Sequence, residues 1–120
     1  MAAAKAYISN LLFTGDEWLK NHAVIVEEGI IKNIIPAEEL SPGIEAISFF
    51  GSILAPAFID LQIYGAYEKL FAVYPNPDSL QLLNIYSNKG GAAFCMPTVA
   101  TNQPEILIKC IDAVKDYWQQ

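Results

Sequence analysis

From residue 57 onward the sequence alternates short apolar runs with stretches of helical periodicity, in the order strand, helix, strand, helix. Residues 57–64, Ala-Phe-Ile-Asp-Leu-Gln-Ile-Tyr, are mostly apolar with two polar side chains near the end, which predicts a strand buried on both faces. Residues 65–74 read as a loop. Asn76-Pro77-Asp78 then combines a capping side chain, a proline suited to the first helical position and an acidic first turn, predicting a helix to about Lys89. Leu80, Leu83 and Tyr86 give that helix an apolar face, and Gly90-Gly91 supplies the residue type that tolerates left-handed dihedrals at a helix end. Residues 92–99 predict a second buried strand. Pro104-Glu105 opens another helix, in which Leu107, Cys110, Ile111, Val114, Tyr117 and Trp118 recur at spacings of three and four as one buried stripe. This alternation is the unit of parallel α/β folds, either a doubly wound sheet or an eight-stranded barrel.

Before residue 55 the pattern is all β. Residues 6–13 are apolar and rich in strand formers, and Thr14-Gly15-Asp16 is turn chemistry. Residues 22–27 and 30–35 flank Glu28-Gly29, the signature of a hairpin, which Pro36 closes. A polar connection follows over residues 37–42, with room for one helical turn. Residues 44–54 then supply one or two further strands with a bend at Gly51. The expected organisation is a small β domain over residues 1–54 and the start of a (β/α) barrel over residues 55–120.

Charge and composition exclude several function classes. A net charge of -6, with seven Lys and Arg that form no cluster, would repel a phosphate backbone, so nucleic-acid binding is not expected. The N-terminus lacks the charged start and apolar core of a secretory signal, and no apolar run approaches the roughly 18 residues of a membrane helix. A soluble cytoplasmic protein is the default expectation. Cys95 and Cys110 make neither a disulfide framework nor a Cys-x-x-Cys site, and read as buried free thiols.

Several stretches together resemble one family. Ile8-Ser9-Asn10-Leu11-Leu12-Phe13-Thr14-Gly15, then His22-Ala23-Val24-Ile25-Val26 and Gly29-Ile30-Ile31-Lys32, resemble the small β domain that begins many amidohydrolases. Gly51-Ser52-Ile53-Leu54-Ala55-Pro56-Ala57-Phe58-Ile59-Asp60-Leu61-Gln62-Ile63-Tyr64-Gly65 looks like the first barrel strand of that superfamily, where Pro-Gly-Phe-Ile-Asp commonly leads into His-x-His. Gly90-Gly91-Ala92, with Pro97-Thr98-Val99-Ala100-Thr101 after it, is similar to the second barrel strand of the N-acetylglucosamine-6-phosphate deacetylase branch. The Asp-x-Gln-x-x-Gly variant of the metal motif points to the same branch. The chain departs from the pattern at Ala57, where the family has glycine, and at Gln62 and Tyr64, which stand in the places of the two histidines.

The resemblance implies a metal-dependent deacetylation of N-acetylglucosamine 6-phosphate, with a zinc or iron ion, an aspartate as general base and acid, and a homodimer as the complete enzyme. It also implies that the metal-holding glutamate and histidines and the catalytic aspartate come from later strands. No catalytic residue and no metal ligand is therefore expected among these 120 residues, and the isolated chain is expected to be inactive and to carry no metal of its own. A carboxamide and a phenol are poor zinc ligands compared with imidazole, so Gln62 and Tyr64 build no strong metal site.

Read without the family, Asp60 and Gln62 share one strand face and could be satisfied by backbone and water within a core. With it, Gln62, Tyr64 and Thr98 are candidates for the active-site mouth or the shell of a metal-bound water, because active sites of barrels sit at the carboxyl ends of the strands. Thr101 reads equally well as lining the cavity or capping the following helix. His22 reads as a surface or hairpin residue, and Tyr86, Tyr117 and Trp118 as packing residues. The competing readings are a non-catalytic small α/β module derived from the enzyme's start, and another amidohydrolase branch of the dihydroorotase or adenine-deaminase kind.

Overall fold

In the computed structural model residues 4–119 are described, and the chain divides into two units, Met1–Pro56 and Ala57–Gln120. In the first unit, β1 (Lys5–Phe13), β2 (Trp18–Glu27), β3 (Ile30–Pro36) and β4 (Glu45–Leu54) form a sheet of order β3-β2-β1-β4. The β1–β2 and β2–β3 pairs are antiparallel and β1–β4 is parallel, so the sheet is mixed. The expected hairpin is present. Its two-residue loop has Glu28 at φ 51° and Gly29 at φ 75°, the doubly left-handed geometry whose twist matches the flanking strands. Thr14 closes the other turn: its amide donates to the Glu17 carbonyl at 3.0 Å, and its hydroxyl accepts from the Asp16 and Glu17 amides. Ala37–Glu39 is a single 3-10 turn.

The segment before residue 55 is one strand rather than two, and its bend is local. Ser9 pairs with Phe49 and Leu11 with Ile53, so β4 carries extra residues opposite Asn10, and Gly51 takes φ 77° there. Ser9 is fully buried at this irregularity. Its hydroxyl lies 2.7 Å from the Ser52 carbonyl and 2.8 Å from the Leu11 carbonyl, supplying a partner where the ladder is interrupted. Ala6, Leu12, Ala23 and Val24 are the buried apolar positions of this unit.

In the second unit β5 (Phe58–Ile63) and β8 (Ala92–Pro97) pair in parallel, joined through α1 (Pro77–Lys89), and α2 (Pro104–Trp118) follows. Asn76 caps α1 as its sequence predicts, its side-chain oxygen accepting from the Ser79 amide at 3.0 Å. At the other end Gly90 is right-handed and Gly91, at φ 89°, is the residue that needs to be glycine. The core gathers Ile63, Ala66, Phe71, Leu80, Leu83, Cys110 and Ala113, with Cys95, Ile106, Val114 and Tyr117 packed around it.

Three expectations are corrected here. Residues 65–74 are not a plain loop: β6 (Gly65–Ala66) and β7 (Lys69–Leu70) form a tight antiparallel hairpin, after which Phe71 is 2% exposed. The strands β5 and β8 are not buried on both faces, since Phe58, Ile59, Leu61, Phe94 and Met96 are exposed; burying a parallel strand takes cover on both faces and neighbours on both sides, and this unit covers only the region of Ile63. The helix stripes are narrower than read. Cys110, Ala113, Val114 and Tyr117 pack inward, while Leu107, Ile111, Trp118 and, on α1, Tyr86 are exposed, because periodicity reports apolarity and not which faces find partners. The succession strand, helix, strand, helix is observed, and two parallel strands by themselves close no barrel.

Candidate functional site

Pairing of β5 with β8 sets their carboxyl ends side by side. Ile63 is the register partner of Pro97, and the Thr98 amide donates to the Ile63 carbonyl at 2.8 Å, extending the ladder one residue past β8. Gln62, Tyr64 and Thr98, on the last residues of the two strands or just after them, are therefore brought to the same end of this small sheet. Gln62 and Tyr64 are in contact: the Gln62 carboxamide Nε2 donates to the Tyr64 Oη at 2.5 Å. The Gln62 amide donates to Asp60 Oδ1 at 3.1 Å, so the Asp60 carboxylate is engaged by its own strand. Thr98 is half-buried and its hydroxyl donates to the Met96 carbonyl at 3.1 Å.

Local structure explains why Tyr64 is held. Before it, Ile63 is in the core; after it, the chain turns at once into the hairpin of β6 and β7, and the Phe71 amide returns to donate to the Tyr64 carbonyl at 2.8 Å. Gly65 makes this return possible, since a Cβ there would fall 2.8 Å from the Leu70 Cα and run into the Lys69 carbonyl. Tyr67 at φ 50° and Glu68 at φ 64° form the tip, a left-handed pair that ordinarily draws Asn and Gly. Tyr67 is braced edge-on against Tyr86 of α1, with ring centroids 5.7 Å apart. The sequence carries no turn signal at Tyr67-Glu68; the residues that bear on the hairpin are Gly65 and, six positions on, the aromatic Phe71.

His22 lies on β2, in the other unit, with Nδ1 2.7 Å from the Lys20 carbonyl. Thr101 does not cap α2, whose N-cap residue is Gln103 without a side-chain cap bond. Cys95 is half-buried and Cys110 buried, both as free thiols, and burial pushes the Cys110 thiol above its ordinary value. Among the described residues no three His, Cys, Asp or Glu side chains come together to hold a metal ion, so the residues present do not fit the ion that the resemblance implies. Beside the Asp60 carboxylate, which its own strand engages, the arrangement offers the uncharged donors and acceptors of Gln62, Tyr64 and Thr98 at the strand ends. Among the described residues no helix is long and apolar enough to cross a membrane.

Comparison with known proteins agrees with this fold. The family model of the NagA composite domain matches residues 6–54. An N-acetylglucosamine-6-phosphate deacetylase of Haemophilus influenzae is 30% identical over 112 residues, covering 93% of this chain and 29% of that protein. Among solved structures, the N-acetylglucosamine-6-phosphate deacetylase of Pasteurella multocida superposes with a TM-score of 0.88 at 24% identity, over 98% of this chain and 31% of that one. The corresponding enzyme of Mycobacterium smegmatis gives 0.77 at 13% identity, over 96% and 32%. At these identities the structural likeness is one of fold, and the chain spans about three-tenths of the length of the relatives it matches. Along nearly its whole length the chain is therefore similar to the N-terminal segment of N-acetylglucosamine-6-phosphate deacetylases, and its residues 6–54 match the NagA composite domain.

Proposed function

We propose that this chain is the N-terminal part of a metal-dependent amidohydrolase that hydrolyses N-acetylglucosamine 6-phosphate to glucosamine 6-phosphate and acetate. The observation that carries the reading is the 30% identity along nearly the whole chain to an enzyme of that name. In this reading β5 and β8 are the first two strands of a (β/α) barrel, α1 and α2 belong to its outer ring, and the remainder of the barrel covers the apolar side chains that β5 and β8 expose. Barrel enzymes bind substrate at the carboxyl ends of their strands, the end at which Gln62, Tyr64 and Thr98 stand.

The chain's own contribution is positioning rather than bond breaking. Neutral amide, phenol and hydroxyl groups can orient a water molecule or a sugar without competing for a cation. A divalent ion, zinc or iron, would take its ligands from elsewhere in the complete enzyme, and no catalytic step is assigned to these residues. The partners in this reading are a phosphorylated amino sugar, the rest of the barrel and a second subunit, in the cytoplasm.

The test is acetate release. The complete protein, purified and supplied with zinc or iron(II), is expected to release acetate from N-acetylglucosamine 6-phosphate catalytically, and residues 1–120 alone to release none. Folded, metal-loaded complete protein that releases no acetate would refute the proposal.

A further inference from the structure

The contact between Gln62 and Tyr64 carries more than a location. A glutamine side chain has three rotatable bonds, and an exposed one loses roughly 1–2 kcal/mol of rotamer freedom when held in a single place. Here the carboxamide of the exposed Gln62 is engaged by a phenol two residues along the same strand end. A tyrosine ring has only two soft torsions, and the backbone of Tyr64 is fixed from both sides, by buried Ile63 before it and by the hydrogen bond from buried Phe71 after it. A rigid residue thus holds a flexible one. Thr98 does not compete for the carboxamide, because its hydroxyl is turned to the Met96 carbonyl.

From this geometry we infer that Tyr64 is a positioning residue for Gln62, the two acting as one neutral hydrogen-bonding unit at the carboxyl ends of β5 and β8. With one amide hydrogen given to Tyr64, Gln62 keeps its second N–H and its carbonyl oxygen, and the phenol keeps its own hydrogen. The unit suits a neutral polar ligand, a bound water or the hydroxyl and acetamide groups of a sugar, rather than a cation. The hairpin of residues 65–70 belongs to the same device: it returns Phe71 to the Tyr64 carbonyl, and only glycine at position 65 allows so short a return.

The role of the unit in turnover rests on the deacetylase reading, whereas the pairing does not, and the experiment separates the two. In the complete protein, Tyr64→Phe, Gln62→Ala and the double variant are compared by kcat and KM for acetate release from N-acetylglucosamine 6-phosphate. One neutral hydrogen bond corresponds to a loss of a few-fold to about tenfold, so Tyr64→Phe should lower kcat by that factor and leave KM nearly unchanged. Gln62→Ala should lower kcat at least as much, and Tyr64→Phe should add nothing in its background. Losses that multiply would overturn the inference. In parallel, the side-chain amide signals of Gln62 in protein labelled with 15N-glutamine should move in Tyr64→Phe and stay in place in Tyr67→Phe, which leaves Tyr64 intact. Gln62 signals unchanged in Tyr64→Phe would overturn the inference whatever the activity. If the unmodified complete protein releases no acetate while these signals move as expected, the reaction is wrong and the pairing stands.

Discussion

Replacing Ser9 with alanine removes the hydroxyl that ties the irregular stretch of β1 to β4. The side chain is fully buried, with Oγ 2.7 Å from the Ser52 carbonyl, 2.8 Å from the Leu11 carbonyl and 3.3 Å from the Leu11 amide. One hydroxyl hydrogen can serve one carbonyl well, so the substitution removes at most about two effective bonds, one donated and one accepted. At a net 0.5–1.5 kcal/mol each, the expected loss is about 1–3 kcal/mol, with almost no cavity because only an oxygen is deleted. In urea unfolding, at an m of roughly 1–2 kcal/mol/M, the midpoint should fall by about 1 M with m unchanged. Gly51→Ala strains the same place by another route: at φ 77° no atom lies within 4 Å of the added methyl, so its cost is conformational, about 1–2 kcal/mol. Both substitutions act on one irregularity, and the double variant should lose less than the sum of the two. A Ser9→Ala protein within about 0.3 kcal/mol of the parent would show that the interrupted ladder finds its partners without the hydroxyl, against the reasoning here.

Leu83, 1% exposed at the centre of the second unit's core, should cost about 2–5 kcal/mol as Leu83→Ala and under about 1.5 as Leu83→Met, read by the same unfolding assay. The Cys110 thiol, raised by burial, should react with an aromatic disulfide reagent more slowly than the half-buried Cys95, and each rate is isolated by replacing the other cysteine with alanine. Because its folded value lies above its unfolded one, Cys110 contributes stability that is fully present below the ordinary thiol range and is lost as pH rises through the folded value; Cys110→Ala should flatten that alkaline decline.

Much of the fold was legible wherever local chemistry decides local structure. Glu28-Gly29 predicts a two-residue hairpin and both residues are left-handed; Asn76-Pro77-Asp78 predicts a capped helix and the cap bond is present. The hairpin of residues 65–70 was not legible, because Tyr67 and Glu68 hold dihedrals that their side chains disfavour, and the contacts that impose them, Tyr86 against Tyr67 and Phe71 in the core, come from tertiary packing. The same limit applies to α2. Leu107, Ile111 and Trp118 match its apolar period as well as Cys110 and Tyr117 do, and only packing separates the exposed from the buried. At the candidate site, the motif order placed Gln62, Tyr64 and Thr98 near strand ends, but the direct bond between Gln62 and Tyr64 depends on rotamers that no pattern encodes.

In the proposed function the carboxyl ends of β5 and β8 face the substrate, and a crystal structure of the complete protein with bound N-acetylglucosamine 6-phosphate measures that directly. The Gln62 carboxamide and the Thr98 hydroxyl are expected within about 2.6–3.2 Å of the ligand, or of one water molecule that touches it. A ligand bound instead at the opposite end of the two strands, beside Phe58 and Ala92, would contradict the account.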